Sequence, residues 1–346
     1  MSNIFLQSVT LTQAARWMRN TALAVGLLAV MVALLLWRMW QVRGDISDIG
    51  WESSTVAADA DGSVTATWLG TTTLLFDDGD TQILVDGSFT RVSPIDIALF
   101  RRVKSDVATI NYALSNFHMN RLAAIIPVHS HSDHAMDVGY VANRSSAVIL
   151  GSESTANIAR AANVPVDQYQ ILADGEVRQF GNFTIELVAS AHAPIGWNGK
   201  ELFPGIIEEP LEQPARVSEY RTGVAWSVFI GHPRGTTLVQ GSAGFIEGKL
   251  RGESADIVML SVAGLADLGE KYTQTYWNET VRATGAERVI AIHYDDFTAP
   301  FGEVRLLPDM LDKVRKTASR IDELVAASGG KMTVELPPFG QPVVLY

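Results

Sequence analysis

The chain has 346 residues, 47% of them hydrophobic and 19% charged, which is enough apolar material for a sizeable core and long enough for one large α/β domain or two to three smaller ones. Its formal charge of -11 repels phosphate backbones and no basic patch offsets it, so no nucleic-acid partner is expected. The absence of cysteine excludes disulfides, thiolate nucleophiles, cysteine-ligated zinc and iron–sulfur clusters, so any metal must be held by His, Asp or Glu.

Residues 1–20 form a short N-terminal segment. From Thr21 to Trp37 the chain runs 17 residues without a charge, and with Trp40 and a snorkelling Arg38 the stretch 21–40 reaches the length of one membrane span. Trp17, Trp37 and Trp40 stand where an interfacial aromatic belt lies. No small-residue cleavage pattern follows, which favours an uncleaved single-pass anchor over a signal peptide. Arg16 and Arg19 precede the span and Arg38 and Arg43 follow it, while Asp45, Asp48 and Glu52 tilt the balance slightly toward a cytoplasmic N-terminus with the rest of the chain outside the cytoplasm. Residues 41–63 are polar and rich in Gly, Ser, Asp and Ala, as a linker would be. Residues 64–346 then read as the globular domain.

Short β-branched runs open this domain: Val64–Leu69, Thr73–Phe76 and Gln82–Val85, the last two joined by the turn residues Asp77-Asp78-Gly79-Asp80. The apolar spacing over 95–117 predicts a helix. A buried strand at Ala123–Val128, a helix at Ala135–Arg144, a strand at Ala147–Leu150 and a helix at Ser152–Ala162, with Ser152 as its cap, follow. Phe183–Val188 alternates as a strand, and Val224–Ile230 with Thr236–Gln240 make a hairpin. Asp256–Leu260 and Arg288–Ile292 are strands on either side of a helix at 268–284. Strands alternating with helices require sheets covered by helices on the outside.

Three of the seven histidines and one aspartate fall within His129-Ser130-His131-Ser132-Asp133-His134, immediately after the strand Ala123–Val128. In an extended segment positions two apart point the same way, so His129 and His131 can reach one metal, with Asp133 and His134 serving a neighbouring point. Neutral imidazoles and a carboxylate suit zinc, and also manganese or iron. His192 and His293 also follow buried strands, which marks them as further ligands. His118 and His232 lack that context and read as structural or surface residues.

The run HSHSDH, with His192 and His293 downstream and the opening TATWLGTTTLLFDDGDTQILVDG, resembles the metallo-β-lactamase superfamily, in the branch containing ascorbate-6-phosphate lactonase and N-acylphosphatidylethanolamine phospholipase D. The resemblance covers about residues 64–300. It implies an αββα sandwich of α/β class, preceded here by one transmembrane helix. It also implies one metal held by His129, His131 and His192 and a second held by Asp133, His134 and His293. Asp86 matches a strand-end aspartate that braces the metal loop. One position departs from the family pattern: Ser242, in Gln240-Gly241-Ser242, stands where a metal-bridging aspartate belongs. This leaves open one metal, two metals bridged only by hydroxide, or a stand-in carboxylate such as Asp295 or Asp296.

The function implied is a metal-dependent hydrolase that uses a metal-activated hydroxide, oriented by Asp133, on an ester-type substrate: a phosphodiester or phospholipid, or a lactone. One or two ions, zinc or else manganese or iron, are the expected cofactors. The irregular segment Ala193–Thr222, with Trp197 and Phe203, is long enough to serve as a lid, and its apolar side chains suit a small-molecule or lipid substrate at the membrane. The alternative is a metal-binding sensor or partner-binding module weakened in catalysis by Ser242.

Overall fold

Residues 2–57 and 62–346 are described in the computed structural model, with side chains from residue 13 onward and without that of Trp197. The remaining positions, Met1 and residues 58–61 of the expected linker, lie outside the described residues. The chain forms two compact units: Met1–Arg43 with Pro308–Met310, and Gly44–Leu307 with Leu311–Tyr346. The first is built on a single helix, Ser2–Gln41, longer than the expected span. Its part Gln13–Gln41 has a mean hydropathy of 2.3 over its most apolar window, none of it buried, and is long and apolar enough to cross a membrane.

In the second unit the strands are, in chain order, β1 (Glu52–Ser53), β2 (Thr65–Trp68), β3 (Leu74–Asp77), β4 (Gln82–Val85), β5 (Arg102–Val103), β6 (Leu122–Ile126), β7 (Val148–Gly151), β8 (Tyr169–Ile171), β9 (Glu176–Phe180), β10 (Phe183–Ser190), β11 (Ala215–Arg216), β12 (Ala225–His232), β13 (Gly235–Gln240), β14 (Ile257–Ser261), β15 (Arg288–Ile292), β16 (Thr333–Leu336) and β17 (Pro342–Val344). One sheet has the order β17-β2-β3-β4-β6-β7-β8 and the other β1-β16-β15-β14-β13-β12-β10-β9, while β5 and β11 form a separate ribbon.

The period of two along the first sheet explains how it is covered on both faces. Leu74, Phe76, Ile83, Val85, Ala124 and Ile126 point into the core shared with Ile185, Val228, Val258 and Ile290 of the second sheet. Their neighbours Leu75, Leu84 and Ile125 point the other way, onto Ile110, Val141 and Ile158 of the helices Val107–Asn116, Val138–Ser145 and Glu153–Ala161. Each such fully buried Leu, Ile, Val or Phe contributes about 1.5–3 kcal/mol relative to exposure. Glu270–Trp277 and Val314–Ala326 supply Tyr276, Trp277, Ala318 and Ile321 to the second sheet's core. The result is the αββα sandwich expected from the sequence.

Several elements differ from expectation. The helix predicted over 95–117 is two helices, Pro94–Ala98 and Val107–Asn116, separated by β5. Ser93 accepts a hydrogen bond from Asp96 N and Asp106 from Ala108 N and Thr109 N, so each helix has its own N-cap. The stretch 268–284 begins earlier, as Leu265–Leu268, continues as Glu270–Trp277 and widens into a π-turn at Asn278–Arg282. Ser152 occupies the N-cap position of Glu153–Ala161, but its side chain makes no capping bond. Within the expected linker, Glu52 and Ser53 pair with Glu335 and Leu336, and Ile49 is buried.

Strands β4 and β6 are parallel, as are β13, β14 and β15, and β10 runs in the same direction as β13 because each is antiparallel to β12. Asp86, the 129–134 run, His192, Ser242 and His293 all follow the C-terminal ends of these strands. Topology thus carries residues distant in sequence to one edge of the sandwich.

Candidate metal centre

His129 Nε2 and His131 Nδ1 stand 3.0 Å apart. With His192 they offer ligand atoms that all lie within 4.8 Å of one another, and Asp133, His134 and His293 form a second such group. The groups adjoin: the His129 ring lies 4.0 Å, centroid to centroid, from that of His134 and 4.8 Å from that of His192.

Asp86 turns the chain at the end of β4 in a left-handed conformation, φ 59°. Its N–H donates to Ile126 O at 2.9 Å, and its Oδ1 accepts from Val128 N at 2.8 Å, which fixes the start of the histidine run. Its Oδ2 lies 2.8 Å from His134 Nδ1 and accepts a hydrogen bond from Thr72 Oγ1. His134 is therefore held from behind, with Nε2 3.3 Å from Asp133 Oδ2. His293 Nε2 reaches the same carboxylate oxygen at 3.7 Å.

The turn Gly70-Thr71-Thr72 between β2 and β3 contributes twice. Thr72 Oγ1 lies 2.8 Å from His134 Nδ1, and Thr71 O accepts from His293 N at 2.9 Å. Thr71 takes φ 52°, a costly conformation for a β-branched residue. Its N–H donates to both carboxylate oxygens of Asp295, at 2.9 and 3.1 Å, and Arg91 Nη1 donates to its hydroxyl at 2.8 Å. The glycine before Thr71-Thr72-Thr73 is the signal of this turn in the sequence.

Burial, followed by the neighbouring imidazoles, pushes His129 well below the usual imidazole range. Burial and then His131 bring His192 down to about 3, and burial lowers His131 as well. The three rings are thus neutral and have lone pairs to offer. In the second group burial opposes ionisation, but charge pairing outweighs it. His134 holds Asp133 well below the usual carboxylate range, with His293 adding to the effect, while Asp133 and Asp86 raise His134 to about 10. A half-buried carboxylate gathering two imidazoles, beside three neutral imidazoles, is a donor set that fits divalent transition metals once His134 gives up its proton to the incoming ion.

Ser242 lies in the loop after β13, and its Oγ accepts from Ala193 N at 2.9 Å, beside His192. The loop's close approach explains its glycines: a Cβ on Gly241 would strike Val128, and one on Gly244 the backbone of Ala191 and His192. His192 Nδ1 is 2.8 Å from Ala193 O, which turns Nε2 toward the other histidines. Asp295 is engaged by Thr71 N, and Asp296 by Thr298 and Arg305 Nε. The Phe203 ring stands edge-on to His131, 6.2 Å between centroids. The backbone of Trp197 opens the turn Trp197–Gly199, while its side chain lies outside the described residues. His232 packs with its Nε2 3.6 Å from Asp78, and His118 lies in the turn after the helix Val107–Asn116 at φ 50°, both apart from the two ligand groups.

No protein-family model matches the chain. An 80-residue stretch is 29% identical to exodeoxyribonuclease YycJ of Bacillus anthracis, covering 22% of this chain and 30% of that enzyme's length. Among solved structures, the diiron β-hydroxylase CmlA from Streptomyces venezuelae matches 82% of this chain and 54% of its own, with 12% identity and a TM-score of 0.53. The metallo hydrolase Igni18 from Ignicoccus hospitalis shows 15% identity over 82% of this chain and 99% of its own, with a TM-score of 0.48. The metallo-β-lactamase fold protein YhfI from Bacillus subtilis shows 14% identity, covering 80% and 98%, with a TM-score of 0.45. At these identities the likeness is one of fold. The fold is an αββα sandwich of α/β class.

Proposed function

We propose that this chain is a membrane-anchored, metal-dependent hydrolase acting on an ester-type substrate, a phosphodiester or phospholipid or a lactone. The observation that carries this reading is the convergence of two ligand triads, His129/His131/His192 and Asp133/His134/His293, at one edge of the sandwich. A dication held by such a set supplies Lewis acidity: it lowers the pKa of a coordinated water toward about 7 and polarises the oxygen under attack. Zinc suits the mixed imidazole–carboxylate set, as do manganese and iron. His129, His131 and His192 enter as neutral donors. Asp133, ionised and facing both His134 and His293, serves as a ligand and orients the nucleophile. Asp86 holds the orientation of His134 from outside.

The exposed helix Gln13–Gln41 supports a single-pass anchor, and Asp45, Asp48 and Glu52 after it favour a cytoplasmic N-terminus. Exposed Ile195, Leu202 and Ile206, in the segment that brings Phe203 over His131, support an apolar or amphiphilic substrate. The test is full-length protein loaded with zinc, manganese or iron and assayed on chromogenic phosphodiester, lactone and β-lactam substrates. Turnover of an ester-type substrate, lost in His131→Ala, is expected. Bound metal with no turnover across the panel would reject the hydrolase reading and leave a metal-binding sensor or partner-binding module.

A further inference from the structure

Thr222, at the far end of the irregular segment between β10 and β12, is only 3% exposed, and its polar groups all bond either to the histidine run or to Phe203. Its carbonyl accepts from Ser130 N at 2.9 Å, inside the histidine run. Its N–H donates to Phe203 O at 3.1 Å. Its hydroxyl lies 3.1 Å from His131 Nε2 and 3.4 Å from Phe203 O. The next pair continues the pattern, with Gly223 N donating to Gly205 O at 2.9 Å. Phe203–Gly205 and Thr222–Gly223 thereby close the intervening chain into a loop whose neck sits on His131.

A threonine hydroxyl has one proton to donate and lone pairs to accept with. His131 turns Nδ1 toward His129 Nε2, so Nδ1 can offer a lone pair to a metal only if Nε2 carries the ring proton. That proton then has an acceptor in Thr222 Oγ1, and the threonine proton has one in Phe203 O. The relay His131 Nε2–H to Thr222 Oγ1–H to Phe203 O selects the ligating tautomer of His131, and it is complete only while the loop neck is closed. Phe203 itself sits at φ 44°, an unfavourable conformation sustained by these contacts and by its ring against His131.

We propose that Thr222 is a positioning residue that couples closure of the 203–222 loop to metal occupancy at His129/His131/His192. The inference rests on the reading of those histidines as a metal site. Coupling of this kind is reciprocal: the closed neck raises metal affinity, and bound metal stabilises the closed neck by the same factor.

The test uses the full chain in detergent, with Zn²⁺ as the probe. Calorimetric titration compares wild type with Thr222→Val, which keeps the shape and removes the hydroxyl, and with Thr222→Ser, which restores it. We expect Thr222→Val to weaken one Zn²⁺ equivalent by about 10–100-fold, the usual effect of losing a partner behind a ligating histidine, and Thr222→Ser to recover it. Amide hydrogen exchange of the wild type, which needs no variant, should slow at Thr222 and Gly223, whose N–H groups close the neck, when Zn²⁺ is added. Unchanged Zn²⁺ affinity in a folded Thr222→Val, or exchange at the neck indifferent to Zn²⁺ in the wild type, overturns the coupling. Wild type that binds no Zn²⁺ overturns the metal-site reading itself, a result distinct from binding without coupling.

Discussion

Replacing Asp86 by alanine removes the acceptor of Val128 N–H and the carboxylate beside His134 Nδ1, both at 2.8 Å and fully buried. An orphaned buried N–H costs about 1–3 kcal/mol. Breaking a buried ion pair from one side costs about 3–5 kcal/mol, lessened here because Thr72 Oγ1 remains 2.8 Å from the same nitrogen. Alanine at φ 59° adds about 1 kcal/mol, a conformation that aspartate and asparagine tolerate better. The expected loss is therefore about 4–8 kcal/mol, read by urea unfolding of the detergent-solubilised chain through tryptophan fluorescence. Asp86→Asn keeps an acceptor for Val128 and the backbone conformation but loses the charge facing His134, so about 1–3 kcal/mol is expected. Asp86→Ala within about 1 kcal/mol of wild type, or asparagine as damaging as alanine, would refute the argument that this side chain organises the histidine run through separable bonds.

Changing His131→Ala should remove at least one metal equivalent, as measured by elemental analysis after dialysis; full metal content with unchanged activity would sink the assignment. Ser242→Asp keeps an acceptor for Ala193 N and places a carboxylate beside His192, so, if Ser242 holds the bridge position, calorimetric titration should show the weaker metal equivalent tightened. Two equal, tight sites in wild type, unaltered by the substitution, would count against Ser242 as the bridge position. Full-length protein should resist carbonate extraction from membranes, whereas release into the supernatant would contradict anchoring through residues 21–40.

What could be read from the sequence was what is local or periodic. Six residues from His129 to His134 announce themselves by density, and His192 and His293 by following apolar runs. The structure brings all of these together with Asp133. Hairpin and core strands were legible because Leu74 to Val85 alternate around a strong turn. The two-helix structure of 95–117 was obscured because the apolar spacing runs on through Arg101–Lys104, although Ser93 and Asp106 carried the signals of two separate caps. Short half-exposed strands such as β8 and β9, with little alternation in composition, left no period to detect. Thr72 and Thr222 were invisible for a different reason. Each acts through one hydroxyl on a histidine 62 or 91 positions away, and nothing in a threonine's neighbours reports a contact at that range.

The two ligand triads also have a mechanical meaning. His129 and His131 hang from β6 of one sheet, and His192 hangs from β10 of the other, so an ion shared by the three ties the sheets together at their common edge. Asp133 and His134, set against His293, repeat the tie. In a chain without cysteine these would be strong staples across the sandwich, each closing a long stretch of chain in the manner of a disulfide. Binding to the folded chain alone at a hundredfold excess over Kd adds about 2.7 kcal/mol to its stability. Chelation would then act as reduction does on a disulfide-bonded protein, loosening the edge where the two sheets meet and leaving the apolar core to hold the rest.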